Sequence, residues 1–161
     1  MIRIQSFALI PIRRYTATAF TSNTPSVRVW WDSQCPLCIR EITLMKQIDK
    51  SKRIEFIDIH TGDPNSAVSC PISTKSLLEK FHAQRIGPSG LSDGPVLNGA
   101  AAFGLMWRNL PPPLKWIGNA MEYSPAFLRL AERSYVFFLQ KLRPSLQRFV
   151  IEYDNGKSNR H

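Results

Sequence analysis

The chain has 161 residues, of which 43% are hydrophobic and 11% aromatic, and its formal net charge is +9. This composition indicates a single globular domain with a hydrophobic core and excludes an intrinsically disordered chain. Three cysteines are too few for a disulfide-stapled scaffold, and no apolar run reaches the roughly 18 residues that span a bilayer.

The N-terminal 28 residues contain four arginines, several serines and threonines, and no acidic residue. This composition is typical of an organellar transit peptide, whereas polar residues and Pro11 interrupt the apolar core that a secretory signal requires. We therefore predict a mitochondrial transit peptide over residues 1–25, in which Arg13-Arg14-Tyr15 resembles a matrix-protease cleavage context. The alternative is a disordered basic tail on a cytosolic protein.

A βαβ unit is predicted directly after this segment. The run Val27–Trp31 is rich in β-branched and aromatic residues, which favours a buried strand. A helix is expected from about Pro36 to Ile48, because apolar residues recur there at helical spacing. A second buried strand is predicted over Ile54–Ile59, so that the two strands enclose one helix.

The elements that follow are shorter. A helix is predicted over Thr74–His82, and three glycines then indicate a hairpin with strands near Gln84–Ile86 and Val96–Leu97.

The last part of the chain predicts three helices over residues 100–110, 114–121 and 124–142, and Pro144 is expected to end the third. The folded domain is thus predicted over residues 26–150, and residues 151–161 are expected to form a flexible tail.

The chemistry is concentrated in Cys35-Pro36-Leu37-Cys38, a C-x-x-C motif at the junction of the first strand and helix. Unpaired N–H groups and the partial positive charge of a helix N-terminus favour a thiolate there. We expect Cys35 to be the nucleophile and the more accessible thiol, and Cys38 to resolve the mixed disulfide. Asp32 would either accept a proton from Cys38 or cap the turn.

The order Asp32-x-x-Cys35-Pro36-x-Cys38, followed by Gly99-Ala100-x-Ala102-Phe103 and an aromatic-rich helical tail, resembles the DCC family of thiol-disulfide oxidoreductases. The resemblance extends from about Val27 to Arg148. It implies an α/β, thioredoxin-like fold with a small mixed sheet and a C-terminal helical extension. The implied site is Asp32, Cys35 and Cys38, and the implied partner is a protein or small-molecule thiol or disulfide.

Two departures from the resemblance bear on the site. Family members have Asp-Gly at the start of the motif, where this chain has Asp32-Ser33. Thioredoxins also carry a cis-proline that faces the dithiol before the third strand, and no proline occupies that position here.

A zinc site is the main chemical alternative. Cys35 and Cys38 have the spacing of a zinc knuckle, and Cys70, His60 and His82 could complete a ligand set. The chain lacks a second C-x-x-C and an H-x₃₋₅-H pattern, so we predict no metal and no cofactor. The two histidines are expected at the surface or at helix and strand ends.

Basic charge together with Trp107, Trp116 and Tyr123 suggests RNA binding, but these aromatics recur at apolar helical spacing and are expected in the core.

Two functions from different classes follow. The first is a mitochondrial thiol-disulfide oxidoreductase. The second is a non-catalytic thioredoxin-like module that binds a protein or ribonucleoprotein, with the basic helix around Arg143 and Arg148 as its candidate surface.

Overall fold

The computed structural model of the chain describes residues 24–61 and 72–158, so the predicted transit peptide and Cys70 lie outside these ranges, apart from residues 24 and 25. The elements in chain order are strand β1 (Val27–Trp31), helix α1 (Pro36–Ile48), strand β2 (Ile54–Asp58), helix α2 (Thr74–Glu79), strands β3 (His82–Arg85) and β4 (Leu97–Asn98), helices α3 (Gly99–Trp107), α4 (Leu114–Tyr123) and α5 (Pro125–Phe137), a π-helical segment (Phe138–Leu142) and helix α6 (Arg143–Ser158).

The four strands form one mixed sheet in the order β2-β1-β3-β4. β1 and β2 are parallel, with Val27 opposite Ile54, and α1 is the crossover between them. β3 is antiparallel to β1, and β4 is antiparallel to β3. This α/β arrangement, with its C-terminal helices, is that of a thioredoxin-like fold, as predicted.

The hydrophobic core joins the sheet to α1 and α3, and the predicted apolar face of α1 contributes Ile42 and Met45 to it. The buried residues of the core are Val27, Val29, Ile42, Met45, Ile54, Ala83, Ala102, Leu105, Met106 and Leu110. Because β1 lies in the middle of this core, the turn that follows it is held in place on the sheet.

The prediction that His82 ends a helix and lies at a surface or capping position is wrong. α2 ends at Glu79, and His82 begins β3 opposite Trp30 of β1, where it is 4% exposed. Its Nδ1 lies 2.8 Å from the carbonyl oxygen of Lys80. Burial lowers the pKa of His82, because the charged imidazole is disfavoured away from water.

The C-terminal helices are attached to the sheet through the start of α3. Gly99 has a positive φ of 61°, and a Cβ at this position would lie 2.6 Å from the Glu132 carboxylate of α5. That carboxylate accepts the backbone N–H of Ala100 at 2.8 Å, where the helix N-terminus favours a negative charge. The Tyr135 hydroxyl of α5 accepts the N–H of Phe81 at 2.9 Å, directly before β3.

The helical region continues beyond its predicted end. Ser124 caps α5 as expected and accepts the N–H of Phe127 at 3.3 Å. The prediction that Pro144 ends this region is wrong, because the helical backbone continues without a break from α5 through the π-helical segment into α6, which contains Pro144. Residues 151–158, predicted as part of a flexible tail, continue α6.

Two of the three aromatic residues expected in the core are at the surface. Trp107 packs against the core, but Trp116 is 67% exposed and Tyr123 is 78% exposed. α4 buries Gly118 and Met121 against its neighbours, which leaves these two aromatics on other faces of the helix.

Among the helices of residues 24–61 and 72–158, none has the length and apolar character needed to cross a membrane.

Candidate active site

Cys35 lies at the N-cap position of α1, immediately after the turn that ends β1. Its backbone is extended, with φ of −93° and ψ of 112°, and its carbonyl oxygen accepts the N–H of Ile39 at 3.0 Å. Pro36 occupies the first turn, where its missing N–H has no helical partner to lose. The sequence order of strand, turn and C-x-x-C therefore places the Cys35 sulfur at the positive end of a helix.

Two side chains of α6 donate hydrogen bonds to this sulfur. Nε2 of Gln147 lies 3.3 Å from Sγ of Cys35, and Nη2 of Arg143 lies 3.8 Å from it. Gln147 and Arg143 are four residues apart, so they share one face of α6. The C-terminal helix is thus part of the site.

The pKa of Cys35 is lowered from 9.0 to about 5. The largest cause is a hydrogen bond from the Cys38 thiol, which outweighs the opposing effect of burial; the Cys38 backbone N–H, Gln147 and Arg143 add to the lowering. The pKa of Cys38 is raised, because its proton is held in the hydrogen bond to Cys35 and because burial disfavours its thiolate. At neutral pH the pair holds one thiolate, at Cys35, and one thiol, at Cys38.

The expectation that Cys35 is the more accessible thiol is wrong. Cys35 is 4% exposed, whereas Cys38 is half-buried. The reason is the contact of Cys35 with Arg143 and Gln147, which cover the sulfur from the side of α6.

The Asp32 carboxylate fixes the turn between β1 and α1. Its Oδ1 accepts the N–H of Gln34 at 2.8 Å and lies 2.8 Å from Nε2 of His60. The backbone N–H of His60 in turn donates to Oδ1 of Asp58 at 3.0 Å. These contacts are those of the turn-capping role predicted for Asp32, and its role as a proton acceptor stays a prediction.

A cavity of about 80 Å³ opens beside Cys38. Aromatic and aliphatic side chains form most of its wall, and its titratable lining residues are Asp32, Cys38, Glu41, Lys80, Tyr135 and Arg143. The pKa of Glu41 is raised from 4.5 to about 7, because burial disfavours the carboxylate and the Cys35 thiolate repels it.

The residues considered for zinc are not brought together in the part of the chain that the structure describes. There, no group of three or more Cys, His, Asp or Glu side chains is arranged to hold a metal ion. His60 is paired with Asp32, His82 is buried in β3, and Cys70 lies outside the described residues.

Sequence reasoning did not place Glu41, Arg143 and Gln147 at the dithiol, although Arg143 was named as part of a candidate binding surface. Glu41 could have been found, because it follows Cys38 by three positions on a predicted helix. Arg143 and Gln147 are 108 and 112 residues from Cys35, so no local pattern connects them to it.

We expect Arg143→Ala to raise the pKa of Cys35 by about 1, because a cation that hydrogen-bonds the thiolate is removed. The measurement is the rate of alkylation by iodoacetamide as a function of pH. The pH midpoint of this rate is compared between the variant and the native protein, and not the rate itself, because the shorter alanine side chain also makes the sulfur more accessible. Arg148→Ala is the control, since it removes the same side chain from an exposed position of α6 and should leave the midpoint at about 5. Equal midpoints in Arg143→Ala and the native protein would contradict the assignment.

These features define a class of protein, namely a thioredoxin-like domain in which a C-x-x-C dithiol with one low-pKa sulfur opens the helix after the first strand. The DCC1-like thiol-disulfide oxidoreductase family matches residues 29–149, which is most of the chain. The chain therefore belongs to that family, and the resemblance predicted from the motif at Asp32 to Cys38 is confirmed.

An uncharacterized chloroplastic protein of Arabidopsis thaliana is similar to the chain, with 28% identity over 100 residues. The match covers 62% of this chain and 43% of the plant protein, so the chain spans less than half the length of that relative. No solved structure matches the chain.

Proposed function

We propose that the protein is a mitochondrial thiol-disulfide oxidoreductase that uses Cys35 and Cys38 as its reactive dithiol. The observation that carries this proposal is the Cys35 sulfur, which receives hydrogen bonds from Cys38, Gln147 and Arg143 and has a pKa of about 5. The thiolate is the species that attacks a disulfide, and at neutral pH this sulfur is already ionised.

In the reducing direction, the Cys35 thiolate attacks a disulfide of a protein or small-molecule substrate. One substrate sulfur becomes bonded to Cys35, and the other leaves as a thiolate that takes a proton from water. Cys38 then loses its proton to a base and attacks Cys35, which releases the second substrate sulfur. The substrate gains two electrons, and the dithiol becomes the Cys35–Cys38 disulfide.

The mitochondrial part of the proposal is supported by residues 1–28, which carry four arginines and no acidic residue. A plastid is the competing destination, since the plant relative is described as chloroplastic. N-terminal sequencing of the protein from purified mitochondria should show a start near residue 25. An intact Met1 on the mature protein would contradict the transit peptide.

We expect Cys38→Ser to accumulate a mixed disulfide with glutathione at Cys35, because Cys35 can still attack but no second thiol releases the product. Intact mass and peptide mapping after incubation with glutathione disulfide would show one adduct on Cys35. Cys35→Ser should lose exchange altogether.

Cys70→Ser is the matched control, since it removes the one cysteine outside the motif and should exchange like the native protein. Exchange that survives in Cys35→Ser would contradict the proposal. Full complementation of a deletion strain by the double Cys35→Ser, Cys38→Ser variant would point instead to a binding module.

A further inference from the structure

The Glu41 carboxyl has no role in the steps above, yet it lies beside the second thiol of the pair. Glu41 follows Cys38 by three positions on α1, so both side chains lie on the same helix face, with Cβ atoms about 5–6 Å apart. Both also line the cavity of about 80 Å³. Glu41 and Asp32 are therefore the two carboxyl groups that a proton leaving Cys38 on the cavity side can reach.

The Glu41 carboxylate is also free to take up a proton. Among the described side chains and backbone N–H groups of residues 24–61 and 72–153, none donates a hydrogen bond to it. The Asp32 carboxylate differs, because its Oδ1 already accepts the N–H of Gln34 and contacts His60. Protonation of Asp32 would weaken these contacts, whereas protonation of Glu41 breaks no hydrogen bond from those described groups.

The surroundings of Glu41 hold its pKa near neutral pH. The titratable groups that line the same cavity from other elements are Asp32 after β1, Lys80 before β3, Tyr135 on α5 and Arg143 on α6. With these groups in place, burial first and the Cys35 thiolate second raise the pKa of Glu41 to about 7. A base with a pKa near the working pH is the most effective proton acceptor.

We propose that Glu41 accepts the proton of the Cys38 thiol when Cys38 attacks the mixed disulfide at Cys35, an inference that rests on the proposed function. The S–H bond of Cys38 breaks, and its proton passes to the Glu41 carboxylate. A new S–S bond joins Cys38 to Cys35, while the bond from Cys35 to the substrate sulfur breaks and that sulfur leaves with the electron pair. In the opposite direction, the Glu41 carboxylic acid returns the proton to Cys38.

The test separates the two sulfur attacks in time. Reduced protein in a Cys70→Ser background is mixed with dipyridyl disulfide in a stopped-flow instrument, so that Cys35 releases the first thiopyridone and Cys38 the second. With Glu41 present, the rate of the second phase should increase with pH and level off above a midpoint that reports the pKa of Glu41. This midpoint should be at or below about 7, because Glu41 is still buried in the mixed disulfide but the negative charge of Cys35 is gone. In Glu41→Gln, the second phase should be about 100-fold slower and lose this midpoint, while the first phase is unchanged.

Two variants keep the result interpretable. Glu79→Gln makes the same chemical change at an exposed position of α2 and should keep the native rate and midpoint. Glu41→Asp retains a carboxyl and should recover the midpoint with part of the rate, which a merely structural role would not produce.

A second phase in Glu41→Gln with the same rate and midpoint as in the native protein would overturn the inference. The inference would also be overturned if Asp32→Asn lost the midpoint while Glu41→Gln kept it. Absence of the first phase in the native protein, or its survival in Cys35→Ser, would instead overturn the proposed function.

Discussion

Gly118→Ala is expected to lower the free energy of unfolding by about 3 kcal/mol, a large share of the roughly 5–15 kcal/mol that stabilises a domain. A Cβ at this position would lie 2.6 Å from the backbone nitrogen of Arg108 and 2.6 Å from the backbone oxygen of Gly104. These are main-chain atoms of α3 and the residue that follows it, so no side chain can turn aside to make room. α3 and α4 would have to move apart, and the better helix propensity of alanine offsets only about 1 kcal/mol of the cost.

Urea-induced unfolding of the native protein and the variant measures this difference. Gly87→Ala is the matched control, because a Cβ there meets its nearest atom at 3.6 Å, an ordinary van der Waals contact. We expect it to change the free energy of unfolding by less than about 1 kcal/mol. A Gly118→Ala variant as stable as the native protein would show that α3 and α4 do not approach this closely.

The reduced protein is expected to become more stable as the pH rises from 7 to 9. The pKa of Cys35 is about 5 in the folded state, and its ordinary value is 9.0. Between these values the unfolded chain holds a proton that the folded protein has released, so a higher pH favours folding. The Cys35 contribution is complete above pH 9, is lost as the pH falls through 5, and amounts to at most about 5 kcal/mol.

Three other groups, Glu41, Cys38 and His82, shape the same profile. The raised pKa of Glu41, about 7, makes the folded protein lose stability between pH 4.5 and 7, which opposes Cys35 in the lower half of its range. The raised pKa of Cys38 removes stability above pH 9, because there the unfolded chain has lost a proton that the folded protein keeps. The lowered pKa of buried His82 adds stability as the pH rises to 6.5, because below that pH the unfolded chain holds a proton that the folded protein lacks. The free energy of unfolding should therefore rise less from pH 5 to 7 than from pH 7 to 9, and reach its maximum near pH 9.

Urea unfolding under reducing conditions at a series of pH values tests this profile. Cys35→Ser should remove the rise between pH 7 and 9, and Cys70→Ser should retain it. Parallel profiles for Cys35→Ser and the native protein would show that the folded state does not hold Cys35 as a thiolate.

The first half of the site could be predicted because its determinants are local. Val27–Trp31 has the composition of a buried strand, and Pro36 marks the first turn of a helix, so the motif lies where the sequence indicates. The parallel pairing of β1 with β2 follows from the helix that connects them.

The second half of the site depends on packing across the fold. Neither the hydrogen bonds from Arg143 and Gln147 nor the burial of Cys35 beneath them has a local signal, because the two residues are 108 and 112 positions from Cys35 in the sequence. The prediction for His82 is wrong for a similar reason, since its pairing with Trp30 outweighs the helical pattern of the residues before it.

The π-helical segment determines which side chains of α6 face the Cys35 sulfur, because it rotates α6 about the helix axis. A π turn contains about one residue more than an α turn, so the side chains beyond Leu142 are rotated by about 100° relative to an uninterrupted α-helix. In an uninterrupted α-helix along the same path, each residue after the π turn would move one position along. Leu142 and Leu146 would then occupy the positions that face the Cys35 sulfur, in place of Arg143 and Gln147. The added residue thus decides whether the sulfur meets two hydrogen-bond donors or two aliphatic side chains.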